Sequence, residues 1–282
     1  MDLWFNEWNT ETCKLSIKVK EPIYSEKTPF QKIDFFDSYD FGKFFTLDGM
    51  MMVNEKDEFI YHDMIVHVPM AVNPNIKNVL VIGGGDGGTV RELTRYNGIE
   101  QIHMVEIDER VVRLCQKYLP ITSSKLEDKR VTLYFKDGVE FVKSKENFYD
   151  LILVDSTDPI GPGEGLFTMS FYKDCYRALN GKGILINQHE SPYFEEYRIE
   201  MLKAHGKLKK IFDVCEVYQF HMPTYSSGHW LFGFASKGLH PIEDHKAEKW
   251  ESFDLKTKYY NSQIHQGAFM LPTYVRELLE SV

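Results

Sequence analysis

The sequence predicts an α/β fold: an open, mostly parallel sheet with helices on both faces, preceded by a small antiparallel β domain. Three observations carry this prediction. From residue 79 onward, short apolar runs alternate with helical segments, the pattern of a doubly wound sheet. The first run, Val79-Leu80-Val81-Ile82, enters the glycine turn Gly83-Gly84-Gly85-Asp86-Gly87-Gly88, whose Gly83, Gly85 and Gly88 fit a nucleotide-binding spacing that is weak on its own. Before residue 59 the pattern has period two instead, with an Asp48-Gly49 hairpin signal.

The elements follow in order. Cys13–Lys20 sets Leu15, Ile17 and Val19 opposite Lys14, Ser16, Lys18 and Lys20, as in a strand with one covered face. Phe30–Phe36 and Lys43–Leu47 read as further strands, and Met50–Val53 as the return arm of the hairpin. We therefore expect a β domain over 1–58 and the larger unit over 59–282. Asp57–Val68 is helical in pattern, with Pro69 and Pro74 leading out of it. Strand Val79–Ile82, a helix Thr89–Tyr96, strand Ile102–Val105 ending at Glu106, and a helix Glu109–Tyr118 come next. Strand Val131–Phe135, helix Val139–Lys145 and the fully apolar, hence central, strand Asp150–Val154 continue the alternation. After a Pro/Gly-rich loop come helix Met169–Leu179, strand Gly183–Asn187, helix Phe194–Lys210 and strands Val214–Phe220 and Trp230–Ala235. Residues 236–282 read as an extended tail with a short helix from Leu271.

Composition narrows the function. A chain of 282 residues with 43% hydrophobic and 27% charged residues is ordinary for a soluble protein with a sizeable core. Its formal charge of −9 argues against nucleic acid as a partner and is compatible with a cationic ligand. No apolar run approaches the length of a membrane span, and no signal segment opens the chain. Cys13, Cys115, Cys175 and Cys215 lack C-x-x-C spacing, so we expect reduced core thiols, a cytoplasmic location and no zinc site.

Ligands of open α/β sheets bind beyond the carboxyl ends of the strands. The residues there are Asp86, Glu106, Asp137, Asp155 with Asp158, and Gln188 with Glu190. A single acid at such a place is commonly a helix N-cap, and Asp137 is as well explained by capping as by binding. Asp108 and Asp150 are assigned to local structure. Convergence of the others calls for positive charge or ribose hydroxyls, because like charges repel when brought together alone. Asp86 is the informative member, since a carboxylate inside the glycine loop is badly placed for a pyrophosphate and well placed for a cation. The loop Asp155-Ser-Thr-Asp158-Pro159-Ile-Gly161-Pro162-Gly163 adds two acids three residues apart on a rigid connection, although Asp-Pro is also a common turn opener. Carboxylates alone suit magnesium or calcium, but these acids lie on separate strands with no calcium-loop pattern, so no metal site is expected. Ser170 and Ser191 lack a nucleophile-elbow pattern.

Taken together, Gly83–Gly88, Glu106-Ile-Asp108, Asp137-Gly138 and Asp155-Ser-Thr-Asp158-Pro159-x-Gly-Pro162 resemble the polyamine aminopropyltransferases, the family of the spermidine synthases. Leu47-Asp-Gly49, Asp57-Glu-Phe-x-Tyr61-His62-x-Met64 and Pro223-Thr-Tyr225 extend the resemblance over nearly the whole chain. It implies a Rossmann-like, class I methyltransferase-type sheet, and transfer of the aminopropyl group of decarboxylated S-adenosylmethionine to putrescine. The products would be spermidine and 5′-methylthioadenosine. Gln31, Glu106, Asp137, Gly138 and Pro162 would hold the methylthioadenosine part, with Asp86 and Asp155 flanking the aminopropyl chain. Tyr61, His62, Asp86, Asp155, Asp158, Gln188 and Tyr225 would shape the polyamine site, and Asp155 would accept the proton. No resident cofactor is implied, because the decarboxylated nucleoside is a co-substrate. A homodimer or homotetramer is implied, with the N-terminal strands as a contact.

Decarboxylated S-adenosylmethionine carries a sulfonium and an ammonium but no carboxylate, which suits Asp86, and putrescine is a dication, which suits Asp155 and Asp158. His62 and His189 depart from the pattern of some relatives and are expected near the acceptor, so cadaverine, agmatine or spermidine stay open as acceptors. Three other readings are weighed against this one: a small-molecule methyltransferase, a catalytically silent polyamine-binding protein, and a dehydrogenase. The last would set Asp86 against a pyrophosphate.

Overall fold

The computed structural model describes residues 2–156, 161–225 and 227–282, with the backbone alone at 161 and 162. The N-terminal sheet is antiparallel, with strands β1 (Leu3–Trp8), β2 (Lys14–Lys27), β3 (Lys32–Ser38), β4 (Lys43–Leu47) and β5 (Met50–Asn54) in sequence order. The β4–β5 hairpin turns at Asp48-Gly49, where both residues have positive φ as a tight turn requires. Strand β1 was not singled out from the sequence, because exposed Trp4 and Trp8 blur its alternation. One face of this sheet, through Ile33, Phe35, Phe45 and Val53, packs on Val111, Leu114 and Cys115.

The second sheet has the order β11-β12-β10-β9-β6-β7-β8. Its strands are β6 (Asn78–Gly83), β7 (Gln101–Glu106), β8 (Val131–Phe135), β9 (Tyr149–Asp155), β10 (Leu179–Gln188), β11 (Val214–His221) and β12 (His229–Ser236). β8, β7, β6, β9 and β10 are parallel, whereas β12 runs antiparallel between β10 and β11. The continuous apolar runs are explained by burial on both faces. Val79, Val81, Leu151 and Leu153 face one layer, and Leu80, Ile82, Ile152 and Val154 face the other.

The first layer contains α1 (Glu58–Val72) and α2 (Gly88–Thr94). The second contains α5 (Gly138–Lys143), α6 (Met169–Ala178) and α7 (Glu195–Leu208), while α3 (Glu109–Tyr118) faces the N-terminal sheet and α4 (Pro120–Ser123) follows it. A short 3-10 helix, Gly161–Phe167, lies in the Pro/Gly-rich segment. Asp108 caps α3 by accepting from Arg110 N at 3.0 Å, and Asp150 accepts from the backbone of Lys77 and Asn78, both local roles as expected.

Three expectations are corrected. α1 continues through Pro69 to Val72 instead of ending before it. It is buried on nearly every side, so packing outweighs the hydrogen bond that proline cannot make. The tail ends in the expected last helix, α10 (Thr273–Glu280), but the stretch before it is more ordered than an extended segment and forms α8 (Ala247–Glu251) and α9 (Ser262–Ala268). Asp63 on α1 anchors this tail by accepting from the backbone N–H groups of Lys258, Tyr259 and Tyr260 at 3.0, 2.8 and 3.2 Å. Cys115 and Cys175 are buried thiols, but Cys13 is exposed and does not belong to the core. Among the described residues, no helix is long and apolar enough to cross a membrane.

Candidate active site

The carboxyl ends of β6, β7, β9 and β10, together with the β4–β5 hairpin, enclose a cleft of about 1150 Å³, part of it open to solvent. Its position follows from topology. β6 and β9 are neighbours with Gly83 opposite Asp155, so the glycine loop and the Asp155 strand end must share one rim. Gly83 has φ +82, and a Cβ there would lie 2.1 Å from Asp155 O, so only glycine lets the two strand ends meet. Gly84 N donates to the same carbonyl at 2.7 Å.

Nine of the residues expected at the site line this cleft: Gln31, Tyr61, Asp86, Glu106, Asp137, Gly138, Asp155, Gln188 and Tyr225. Gln31 reaches it from the N-terminal domain and donates to Asp108 Oδ2 at 3.2 Å, and Thr28 Oγ1 donates to the same oxygen at 2.7 Å. Glu106 ends β7 with its carboxylate against Gly85, where a Cβ would stand 3.0 Å from Oε2. Burial pushes its carboxyl up to about 7, against the pull of the Asp108 backbone N–H, which donates to Oε1 at 2.9 Å. Asp137 does cap α5, accepting from Val139 N at 2.7 Å, while still facing the cleft.

Asp155 accepts from Thr89 Oγ1 at 2.6 Å. Desolvation and the neighbouring Asp86 charge raise its pKa, while His62, Thr89 and Tyr61 oppose the rise. Tyr61 is buried and its own pKa is raised, first by burial and then by Asp155, so it stays a neutral donor. Its hydroxyl lies 3.4 Å from Gln188 Oε1, and Gln188 Nε2 donates to Glu190 Oε1 at 2.9 Å. Tyr225 donates to Met52 O at 2.5 Å, joining β5 to the cleft wall.

The two histidines lie elsewhere than expected. His62 does not line the cleft but lies beneath the glycine loop, with Nδ1 2.6 Å from Glu58 Oε2 and Nε2 3.4 Å from Asp86 Oδ1. Burial works against its charge, but Asp86 and Glu58 outweigh burial and raise its pKa to about 10. His189 is fully buried, its ring filling the space beside Gly233, where a Cβ would stand 2.2 Å from Cε1. Burial lowers its pKa, and it is not part of the cleft wall. Both lie inside because the strands and helices around them are covered on every side. Asp158 lies outside the described residues, and so does the Pro162 side chain.

Sequence reasoning missed several residues at this site. Glu7 on β1, Met50–Met52 on β5, Tyr197 on α7 and Trp230 on β12 all line the cleft. The hairpin signal could have flagged the methionines, whereas nothing in the sequence links Glu7 to residues on the other sheet. Glu58 was also passed over, although its i, i+4 spacing to His62 on α1 was readable.

Among the described residues, two groups bring ligand-type atoms within 4.8 Å of one another: His62, Asp86 and Asp155, and Asp63, His67 and Glu92. In the first, both His62 ring nitrogens already face carboxylates, Glu58 Oε2 at 2.6 Å and Asp86 Oδ1 at 3.4 Å. In the second, Glu92 is committed to Arg91 and Arg95, and His67 to the Tyr96 hydroxyl. The chemistry of the first group is that of an anionic floor able to hold an organic cation, beside a carboxylate placed to accept hydroxyls.

Comparison with known proteins agrees with this geometry. Residues 58–246 match the model of the spermine/spermidine synthase domain, and residues 3–55 that of the spermidine synthase tetramerisation domain. The polyamine aminopropyltransferase of Clostridium acetobutylicum is 66% identical over 282 residues, 99% of each chain. That of Clostridium beijerinckii is 62% identical, covering 100% of this chain and 99% of its own. A crystal structure of spermidine synthase with the transition-state analogue AdoDATO superposes with a TM-score of 0.96 at 41% identity, covering 99% of this chain and 96% of that one. Spermidine synthase from Thermotoga maritima gives 0.94 at 41% identity, covering 99% and 95%. The chain belongs to the spermine/spermidine synthase family of polyamine aminopropyltransferases.

Proposed function

We propose that the chain transfers the aminopropyl group of decarboxylated S-adenosylmethionine to putrescine, giving spermidine and 5′-methylthioadenosine. The observation that carries this reading is the pairing of Asp86 and Asp155 at the floor of the cleft, with Glu106 beside them at the end of β7. Glu106 accepts the ribose hydroxyls, with Gln31, Asp137, Gly138 and Pro162 around the rest of the nucleoside. Asp86 and Asp155 flank the aminopropyl chain and answer its ammonium. Asp155, Asp158, Tyr61, Gln188 and Tyr225 receive the diamine, and His62 acts on it through Asp86.

In the transfer, the lone pair of the acceptor nitrogen forms the N–C bond and the C–S bonding pair returns to sulfur. The sulfonium becomes a neutral thioether, and the amine proton passes to Asp155. An ordinary carboxylate is a weak base toward an alkylammonium. The raised pKa of Asp155 narrows that gap, and fixing both reactants in line supplies much of the rate. No resident cofactor or metal is used. The protein works in the cytoplasm as a homodimer or homotetramer through its N-terminal domain, with the catalytic domain running from 59 to 282.

The test is an acceptor panel with decarboxylated S-adenosylmethionine as donor, comparing kcat/KM for putrescine, cadaverine, agmatine and spermidine. Putrescine should lead. Preference for another amine would reassign the acceptor, and absence of turnover with all of them, or transfer from ordinary S-adenosylmethionine, would overturn the reading. Light scattering of the purified protein tests the assembly.

A further inference from the structure

We propose that Glu58 and Arg91 are positioning residues of this reaction: they hold His62 as a buried cation against Asp86, so that Asp155 is the carboxylate left to take the proton. The inference rests on the aminopropyl-transfer reading above and concerns residues that do not touch the cleft.

The chain of contacts runs inward from α2. Arg91 meets Glu58 in a two-pronged pair, Nη1 to Oε1 at 3.0 Å and Nη2 to Oε2 at 2.9 Å. Two further donors are fixed as well, Nη1 to Ile121 O at 2.8 Å and Nε to Glu92 Oε1 at 2.9 Å, which holds the guanidinium in place. Glu58 passes the contact on to His62 Nδ1, and His62 Nε2 passes it to Asp86. Asp86 Oδ1 also accepts from Gly88 N at 2.9 Å, which fixes the carboxylate in the loop.

A neutral imidazole has one N–H and one lone pair. A ring lying between two carboxylate oxygens satisfies both only by donating from both nitrogens. The geometry thus selects the imidazolium, and the upward shift of its pKa agrees. Among the described residues, the titratable groups facing this ring are Glu58 and Tyr61 on α1, Asp86 in the loop and Asp155 at the end of β9, with Arg91 on α2 behind Glu58.

Charge balance then separates the two carboxylates of the floor. Arg91 and His62 are cations and Glu58 and Asp86 are anions, so these four residues are neutral together. Asp155 is the remaining anion, and its hydrogen-bond donors, Thr89 and Tyr61, carry no charge. Among the described residues Asp155 makes no ion pair of its own, so a proton released from the amine nitrogen is best placed there. The bond changes are those given above.

The test reads His62 directly. In free wild-type protein labelled with 15N-histidine, long-range 1H–15N spectra at about pH 8 should show His62 protonated on both nitrogens, where an unperturbed histidine is neutral. His62→Gln assigns the resonance. In Glu58→Gln the ring should be neutral at that pH, and kcat should fall by about tenfold or more with a displaced pH profile. Arg91→Lys keeps the charge but loses the fork. It should lower the pH at which His62 gives up its proton by about one unit, and it serves if Glu58→Gln does not fold. A neutral His62 in the wild type overturns the proposal. So does an imidazolium retained in Glu58→Gln with kcat within about twofold of wild type. The spectra need no substrate, so absence of turnover in the wild type would count against aminopropyl transfer alone.

Discussion

His62 occupies the space that a side chain at Gly88 would fill: a Cβ at that glycine would stand 2.2 Å from Cε1 and 2.4 Å from Nε2. The last glycine of the loop is therefore a receptacle for a ring on α1, and the two residues fix each other. Gly88→Ala should destabilise the fold by about 1–3 kcal/mol, the usual range for overpacking a filled core. In a His62→Ala background the same change should cost less than about 1 kcal/mol, because the obstruction is gone. Urea unfolding of the four proteins in this cycle measures the coupling. Equal costs in both backgrounds would show that the glycine serves some other need.

On the proposed reading, in which Glu106 holds the ribose, this residue ties nucleoside binding to pH. Its carboxyl is raised to about 7 in the free protein, whereas accepting two ribose hydroxyls requires the ionised form. Below about pH 7 binding must expel a proton, so the Kd of methylthioadenosine should weaken as pH falls, approaching tenfold per unit. Above about pH 7 the affinity should level off. Titration calorimetry in two buffers of different ionisation enthalpy counts the proton released. Glu106→Gln should bind weakly with no slope, and a flat wild-type profile from about pH 5.5 to 8 would remove Glu106 from the ribose contact.

On the aminopropyl-transfer reading proposed above, Asp155 receives the amine proton without holding the nucleoside. Asp155→Asn preserves shape and an acceptor for Thr89, but not a base. We expect kcat to fall by about a hundredfold or more, the usual yield of a positioned base. Methylthioadenosine affinity should stay within about threefold of wild type, since the ribose contact is made elsewhere. A product-formation assay with calorimetry separates the two. Retention of kcat within about fivefold would take the base role from Asp155.

What the sequence revealed follows the geometry of burial. Apolar runs of four or five residues located the central strands because strands covered on both faces have no polar side. The residues just after them then had to lie on one rim, which is why Asp86, Glu106, Asp137 and Asp155 could be named from spacing alone. The depth of His62 was not readable for the same reason in reverse. α1 is buried on almost all sides, so no hydrophobic face marks which of its polar residues look toward the cleft and which look away. Glu7 was invisible because its place depends on how one sheet docks on the other, which no local pattern encodes. The tail misled because short helices such as α8 and α9 are fixed by contacts with α1 and β11, and only weakly by propensity.

Asp63 provides the most direct test of that last point. It is buried, and a single oxygen, Oδ2, accepts three consecutive backbone N–H groups from Lys258, Tyr259 and Tyr260. Hydrogen bonds to a charged acceptor are worth more than neutral ones, and removing the acceptor leaves buried donors unsatisfied. Asp63→Ala should therefore cost on the order of 3 kcal/mol or more in urea unfolding. Limited proteolysis should cut first in the segment between α8 and α9, before the parallel strands are attacked. Asp63→Asn keeps an oxygen but not the charge, and should fall between the two. A loss below about 1 kcal/mol for Asp63→Ala would mean that the tail is held by its aromatic contacts, Trp250 and Tyr260 among them, and not by this carboxylate.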